Sequence, residues 1–259
     1  MRALWGLAGI IAALVCSMAI AVAIEEGGRR SGFDFMTPET QALQADDMSN
    51  PGMLWVLQGE QLWQQAEGRA GVTCSGCHGD ASQTMRGVAT RYPAFDEATE
   101  RPIDLAGRIN SCRTRQQQAE PLAPESNALL ALTTYVAHQS RGMPITPATD
   151  ARLAPFRDNG RRLFQSRIGQ LELSCASCHD GNWGKRLGGS VIPQAHPTGY
   201  PLYRLEWQTV GSLQRRLRNC MIGVRAEPFA FGAAELVDLE LHLTERARGM
   251  LVETPAVRP

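Results

Sequence analysis

Two short runs show where this chain could do chemistry: Cys74-Ser-Gly-Cys77-His78 and Cys175-Ala-Ser-Cys178-His179. Two thiols three positions apart with a histidine directly after them form the attachment signature for c-type haem. The spacing has a physical reason. One helical turn lets both thiols reach the two vinyl groups of the macrocycle, and the adjacent histidine then lies under the iron as proximal ligand. Zinc is the competing reading, because CxxC pairs also hold metals, but a zinc ribbon brings its second pair within about twenty residues. Here the motifs begin at residues 74 and 175. Free-standing disulfides across three residues are rarely relaxed structural bridges. The sequence therefore predicts two covalently bound c-type haems, on Cys74 with Cys77 and on Cys175 with Cys178, above His78 and His179.

Two further cysteines, Cys112 and Cys220, belong to no local pair. They could bond to each other, as two spare thiols in an exported protein usually do. That bridge needs equivalent points of two neighbouring domains within about 7 Å between Cα atoms. The other reading makes each cysteine the distal ligand of its own haem, opposite the histidine. Met143 and Met250 are rivals for that position, but they follow a helix where such ligands normally precede one. His138, His196 and His242 are unpaired between the halves of the chain, and surface or helix positions suit them better. Cys220 lies in "RRLRNCMIGVRAEPF" (215–229), and the positions three, four and seven before it share its helix face. These are Leu217, Arg216 and Leu213. An arginine on an otherwise apolar face needs an anion. Either a haem propionate or an anionic substrate at Cys220 would serve, with the matching Arg108 supporting the first and Arg218 and Arg225 adding charge for the second. Arginine would also favour the nucleophilic thiolate of Cys220.

The elements that must position these residues occur twice. "GEQLWQQAEGRAGVTCSGCH" from Gly59 matches "GRRLFQSRIGQLELSCASCH" from Gly160, and Tyr92-Pro-Ala-Phe95 matches Tyr200-Pro-Leu-Tyr203. Leu105-x-x-Arg108-Ile109-x-x-Cys112 matches Leu213-x-x-Arg216-Leu217-x-x-Cys220, and Arg-Gly-Met closes both halves at Met143 and Met250. The second half carries an insertion between Gly181 and Tyr200 that includes His196. Each half reads as a helix before the haem motif, a loop, a short helix reaching the lone cysteine and an amphipathic closing helix. The expected fold is all-α: two tandem class I cytochrome c-like domains related by internal duplication, 51–146 and 147–259, after an N-terminal extension. "PITPATD" (144–150) reads as a linker, and Gly188 to Ile192 as a possible short ribbon. Arg2 followed by an apolar run ending in small residues reads as a signal peptide over 1–23, with an uncleaved membrane anchor as rival, and 24–50 as an arm. Val15 makes Cys16 a poor lipidation site. Lys plus Arg and Asp plus Glu both count 26, so no net field recruits nucleic acid or an acidic membrane.

At these residues the chain resembles the SoxA family, the dihaem cytochrome subunit of the bacterial sulfur-oxidising (Sox) system. The resemblance spans nearly the whole mature length and rests on both haem motifs, "YPAF", "YPLY", "RINSC" and above all "RRLRNCMIGVRAEPF". It implies a periplasmic L-cysteine S-thiosulfotransferase that pairs with a monohaem cytochrome subunit (SoxX-like). The pair attaches thiosulfate to a cysteine of a carrier protein (SoxYZ-like) and passes two electrons to a small cytochrome c. It implies His78 with Cys112 on the first haem iron and His179 with Cys220 on the second. It also implies Cys220 as a catalytic cysteine persulfide and Arg216 as the substrate-binding residue. No nucleic acid partner, and no membrane after signal cleavage, is expected. The bland alternative is a dihaem electron carrier with no sulfur transfer of its own.

Overall fold

The computed structural model describes residues 26–259, so the expected signal peptide and Cys16 lie outside the described residues. Among the described residues no helix is long and apolar enough to cross a membrane. The helices are α1 (Pro38–Ala45), α2 (Met53–Gln64), α3 (Cys74–His78), α4 (Ala81–Thr84), α5 (Leu105–Cys112), α6 (Asn127–His138), α7 (Ala154–Gln165), α8 (Cys175–His179), α9 (Leu213–Gly223) and α10 (Ala234–Arg246). In each half the helix before the haem motif crosses the closing helix, α2 on α6 and α7 on α10. A glycine permits each crossing. A Cβ on Gly59 would lie 2.2 Å from the Ala131 carbonyl oxygen, and one on Gly160 would lie 1.9 Å from that of Asp238. Around these contacts sit the two cores. Val56, Trp63, Tyr135 and Val136 hold Cys74 and Leu105. Phe164, Leu236, Leu239 and Leu243 hold Cys175, Leu213 and Leu217.

The fold is helix-rich but departs from all-α. β1 (Ala94–Asp96) pairs antiparallel with β2 (Arg101–Ile103), and β3 (Arg186–Leu187) pairs with β4 (Ser190–Val191) in the expected ribbon. β5 (Leu202–Arg204) pairs antiparallel with β6 (Thr209–Gly211) and parallel with β7 (Ala256–Arg258). Strands this short leave almost no alternation in the sequence, which explains why only the ribbon was foreseen. The arm is held by the second half and the C-terminus. Gln44 Oε1 accepts from Val257 N at 3.1 Å, Asn50 Nδ2 donates to Pro255 O at 2.9 Å, and His196 Nδ1 donates to Arg30 O at 2.8 Å.

The linker reading of 144–150 is corrected at its start, where the segment is part of the contact between halves. Gly142 N donates to Val252 O and Gly249 N to Ile145 O, each at 2.8 Å, while Ile145 N donates to Met250 O at 2.8 Å and Val252 N to Met143 O at 2.9 Å. Exchanging the halves maps this set of bonds onto itself, so the two Arg-Gly-Met segments meet about a pseudo-twofold axis. Ile145 is 5% exposed, packed against Ala247, Val252 and Met250. A cavity of about 120 Å³ lies beside the same axis, lined by Tyr92 and Tyr200, Leu105 and Leu213, Asp104 and Glu240. Gln214 Nε2 donates to Asp104 Oδ2 at 2.9 Å and its side chain also hydrogen-bonds Glu240. Burial pushes Asp104 above the usual carboxylate range, and burial together with the charge of Asp104 pushes Glu240 well above it.

Candidate haem and sulfur-chemistry sites

In the first half Thr73 caps α3, its Oγ1 accepting from Gly76 N at 2.7 Å, and this tight turn presents Cys74, Cys77 and His78 to one space. That space is a cavity of about 290 Å³ whose walls include Trp63, Met85, Leu105, Val136 and Cys112. His78 packs against Trp63 at 5.7 Å between ring centroids, and Trp63 Nε1 donates to Gly79 O at 3.0 Å. The void passes the test a haem would set. It is apolar, it has two thiols on one rim, and an imidazole and a further thiol line it. Burial raises the Cys74 thiol above its ordinary pKa.

In the second half Ser174 and Ser177 form a reciprocal cap on α8. Ser177 N donates to Ser174 Oγ at 3.0 Å and Ser174 N donates to Ser177 Oγ at 3.1 Å. His179 Nδ1 donates to Pro193 O at 2.6 Å, which fixes the ring and turns Nε2 inward. Across from it stands Cys220 on α9, started by Ser212, whose Oγ accepts from Arg215 N at 3.1 Å. His179 and Cys220 are within hydrogen-bonding reach of each other. Burial pushes the Cys220 thiol up, but the His179 hydrogen bond and the charges of Arg216, His179 and Arg204 outweigh it and hold the thiol below its ordinary pKa. By contrast, burial and the nearby Cys220 push Cys175 up to about 11. A pair of thiols on one turn, a hydrogen-bonded imidazole and an opposing sulfur again form a donor set suited to haem.

Most of the other candidates are engaged by neighbours of their own. Among the described residues Cys112 and Cys220 are both free thiols, so the bridge between them is not formed. Met250 packs in the small core of Ile145, Ala247 and Val252. His138 Nδ1 donates to Thr254 O at 3.3 Å, His196 is held by Arg30, and His242 lies against Phe164, with burial pushing its pKa down to about 4. Arg218 donates to the Phe229 carbonyl and stacks on Phe231 at 4.4 Å, while Arg225 is exposed. Arg108 lines the first cavity and there pairs with Asp96 at 2.9 Å.

One residue at the second site escaped the sequence reading. Arg204, at the end of β5, is 9% exposed and acts on Cys220 together with Arg216. Its signal was the position just after the matched "YPAF" and "YPLY" runs, which is Asp96 in the first half and Arg204 in the second.

Comparison with known proteins is consistent with this geometry. The family model for the SoxA/TsdA cytochrome c domain matches twice, over residues 58–145 and 159–252. The L-cysteine S-thiosulfotransferase subunit SoxA of Pseudaminobacter salicylatoxidans is 40% identical over 230 residues, which is 88% of this chain and 80% of the relative. The subunit of the same name from Rhodovulum sulfidophilum is 37% identical over 232 residues, again 88% of this chain and 80% of the relative. A chain in the crystal structure of SoxXA from P. pantotrophus superposes with a TM-score of 0.86 at 32% identity, covering 89% of this chain and 87% of that one.

Proposed function

The chain belongs to the SoxA/TsdA cytochrome c family, and on that premise we propose that it is the L-cysteine S-thiosulfotransferase subunit of a periplasmic, SoxA-type complex. The observation that carries this reading is Cys220 facing His179 with Arg216 and its positive charge beside the sulfur. We assign one haem to each half, 51–146 and 147–259, attached through Cys74 with Cys77 and Cys175 with Cys178. His78 with Cys112 would hold the first haem iron, and His179 with Cys220 the second. The repeated element order and the self-mapping contact between Arg-Gly-Met segments support an internal duplication as the origin of the two halves. Partners in this reading are a SoxX-like monohaem subunit, a SoxYZ-like carrier and a small cytochrome c acceptor.

The reaction joins thiosulfate to a carrier thiol. A carrier cysteine and thiosulfate become a carrier S-thiosulfonate as one S–S bond forms, one proton leaves the thiol and two electrons are released. When bound, haem supplies a metal centre that accepts electrons one at a time. The chain's own residues do the positioning. The Arg216 guanidinium holds the sulfonate oxygens by charge-assisted hydrogen bonds, so that the sulfane sulfur meets Cys220. Cys220 works as a persulfide, and the surrounding positive charge favours its anionic, nucleophilic form.

Replacement of Cys220 by Ala or Met tests this. Thiosulfate-dependent reduction of cytochrome c in the presence of the carrier should be lost, while covalent haem content stays at two per chain by intact mass. Undiminished turnover would remove Cys220 from the mechanism, whereas a wild-type chain that is reduced and reoxidised without any sulfur substrate and carries no extra 32 Da on Cys220 would be a plain dihaem electron carrier.

A further inference from the structure

The two halves differ in charge at one matched pair of positions. In the first half Asp96 on β1 and Arg108 on α5 are joined at 2.9 Å, and Thr99 Oγ1 donates to Asp96 at 2.9 Å, so the pair is neutral and satisfied. In the second half the same positions hold Arg204 on β5 and Arg216 on α9. Two guanidinium groups thus stand where an ion pair stood.

Little in the second half neutralises them. Glu206 Oε2 meets Arg204 Nη2 at 3.0 Å, but the Glu206 side chain is 64% exposed while that of Arg204 is 10% exposed. Buried Arg204 Nε has no hydrogen-bond partner. Among the described residues no carboxylate pairs with Arg216. Arg258, a further cation near Tyr200, is already paired with Glu253 at 2.6 Å. Arg204 is also held in place, since its guanidinium lies over the Trp207 ring at 5.3 Å, a ring that Arg215 also contacts at 4.3 Å. A fixed, partly unsatisfied guanidinium beside a second one, with a reactive sulfur in their shared field, is a receptor for a small dianion.

We propose that Arg204 is a second substrate-binding residue, which with Arg216 grips the oxyanion end of a sulfur-oxyanion substrate at Cys220. Asp96 is then the reason that the first half, with its own cysteine and arginine, binds no such anion. This deepens the function proposed above and rests on Cys220 and Arg216 forming the substrate site.

The test uses the haem-loaded complex with thiosulfate as the probe, its Kd measured by calorimetry without carrier. Arg204→Gln should raise Kd at least tenfold with unchanged circular dichroism and haem spectrum, Arg204→Lys should recover part of that loss, and Glu206→Gln should tighten binding several-fold. An unchanged Kd in Arg204→Gln with an altered potential of the second haem would assign Arg204 to a propionate and overturn the proposal. If Arg204→Gln fails to fold, Glu206→Gln decides alone, and no tightening overturns it. Arg216→Gln separates the two ideas. If it leaves Kd unchanged, the substrate site itself is wrong; if it weakens binding while Arg204→Gln does not, only the role of Arg204 falls.

Discussion

Gly160→Ala inverts an ordinary expectation and so tests the architecture behind the second site. In an exposed helix interior, exchanging glycine for alanine gains roughly 1 kcal/mol through backbone entropy. Gly160 lies on α7 where it crosses α10, and an added Cβ would stand 1.9 Å from the Asp238 carbonyl oxygen, 2.6 Å from its carbonyl carbon and 2.9 Å from His242 Cβ. Two of those atoms are backbone and cannot rotate aside. The helices must part by roughly 1 Å, and a gap of that size forfeits about a quarter to a half of each dispersion contact across it. Phe164, Leu236, Leu239 and Leu243 form that interface. Overpacking of this kind costs about 1–3 kcal/mol, and opening the cluster adds to it, so the net loss after the helix gain is about 2–3 kcal/mol. For a domain of this size that is a fall in Tm of roughly 8–15 °C. Thermal melts of the haem-loaded protein by circular dichroism would measure it. Gly223→Ala, where a Cβ would meet nothing within 4 Å, is the control and should change little. A Gly160→Ala protein as stable as wild type, or more so, would refute the close crossing.

The buried acids between the halves give a pH test. The folded-state pKa of Glu240 is raised, so its stabilising protonated form is complete below the unfolded pKa of about 4.3 and is lost as pH rises through the folded value. Glu240→Gln should therefore raise Tm at pH 7–8 and give no gain near pH 4, as melts across that range would record. Gln214→Leu removes the donor to Asp104 and Glu240 and should cost about 1–3 kcal/mol in denaturant unfolding, since two buried acceptors lose a partner. Asp96 behaves in the opposite sense. Burial would raise its pKa, but the Thr99 and Arg108 contacts prevail and lower it, so Asp96 adds stability above about pH 4 that is lost in stronger acid. Asp96→Asn should cost about 1–2 kcal/mol at pH 7, and the difference from wild type in melts should close on acidification.

The repeat was legible because it is written in residue types that backbone geometry fixes. Gly59 and Gly160 are needed by the helix crossings, Thr73 and Ser174 cap the haem-motif helices, and the lone cysteines recur at one place on α5 and α9. The strands were not legible. β1, β2, β5, β6 and β7 are three residues each, and pairing partners such as Leu202 and Ala256 are far apart in the chain. Long-range pairing also hid the contact at Ile145, since "PITPATD" looks like a linker until Met250 and Val252 are known to be opposite. At the second site helix periodicity already set Arg216 apart, since the fourth residue before Cys220 shares its face and the second, Arg218, does not. The structure adds what holds Arg218 away from the sulfur: it donates to the Phe229 carbonyl and stacks on the Phe231 ring.

With two halves built alike, small differences between them become informative about role. At the pseudo-twofold axis Asp104 has Ser212 as its counterpart and Glu240 has Thr133, so at these two matched positions each half places one acid and one hydroxyl in the shared cavity. A symmetric choice would have buried either more like charges or none. The mixed choice lets Gln214 from the second half bond both acids, which ties the halves in one register. The same logic applies at the cysteines. Cys112 is followed by buried Arg113, within 3.5 Å of Glu67, whereas Cys220 is followed by buried Met221. In the first half, then, positive charge near the sulfur is cancelled by Asp96 and Glu67. In the second half only the exposed Glu206 offsets Arg204, and among the described residues no carboxylate pairs with Arg216. On the function proposed above, equal folds with unequal charge balance would let the second pocket attract an anionic substrate while the first does not.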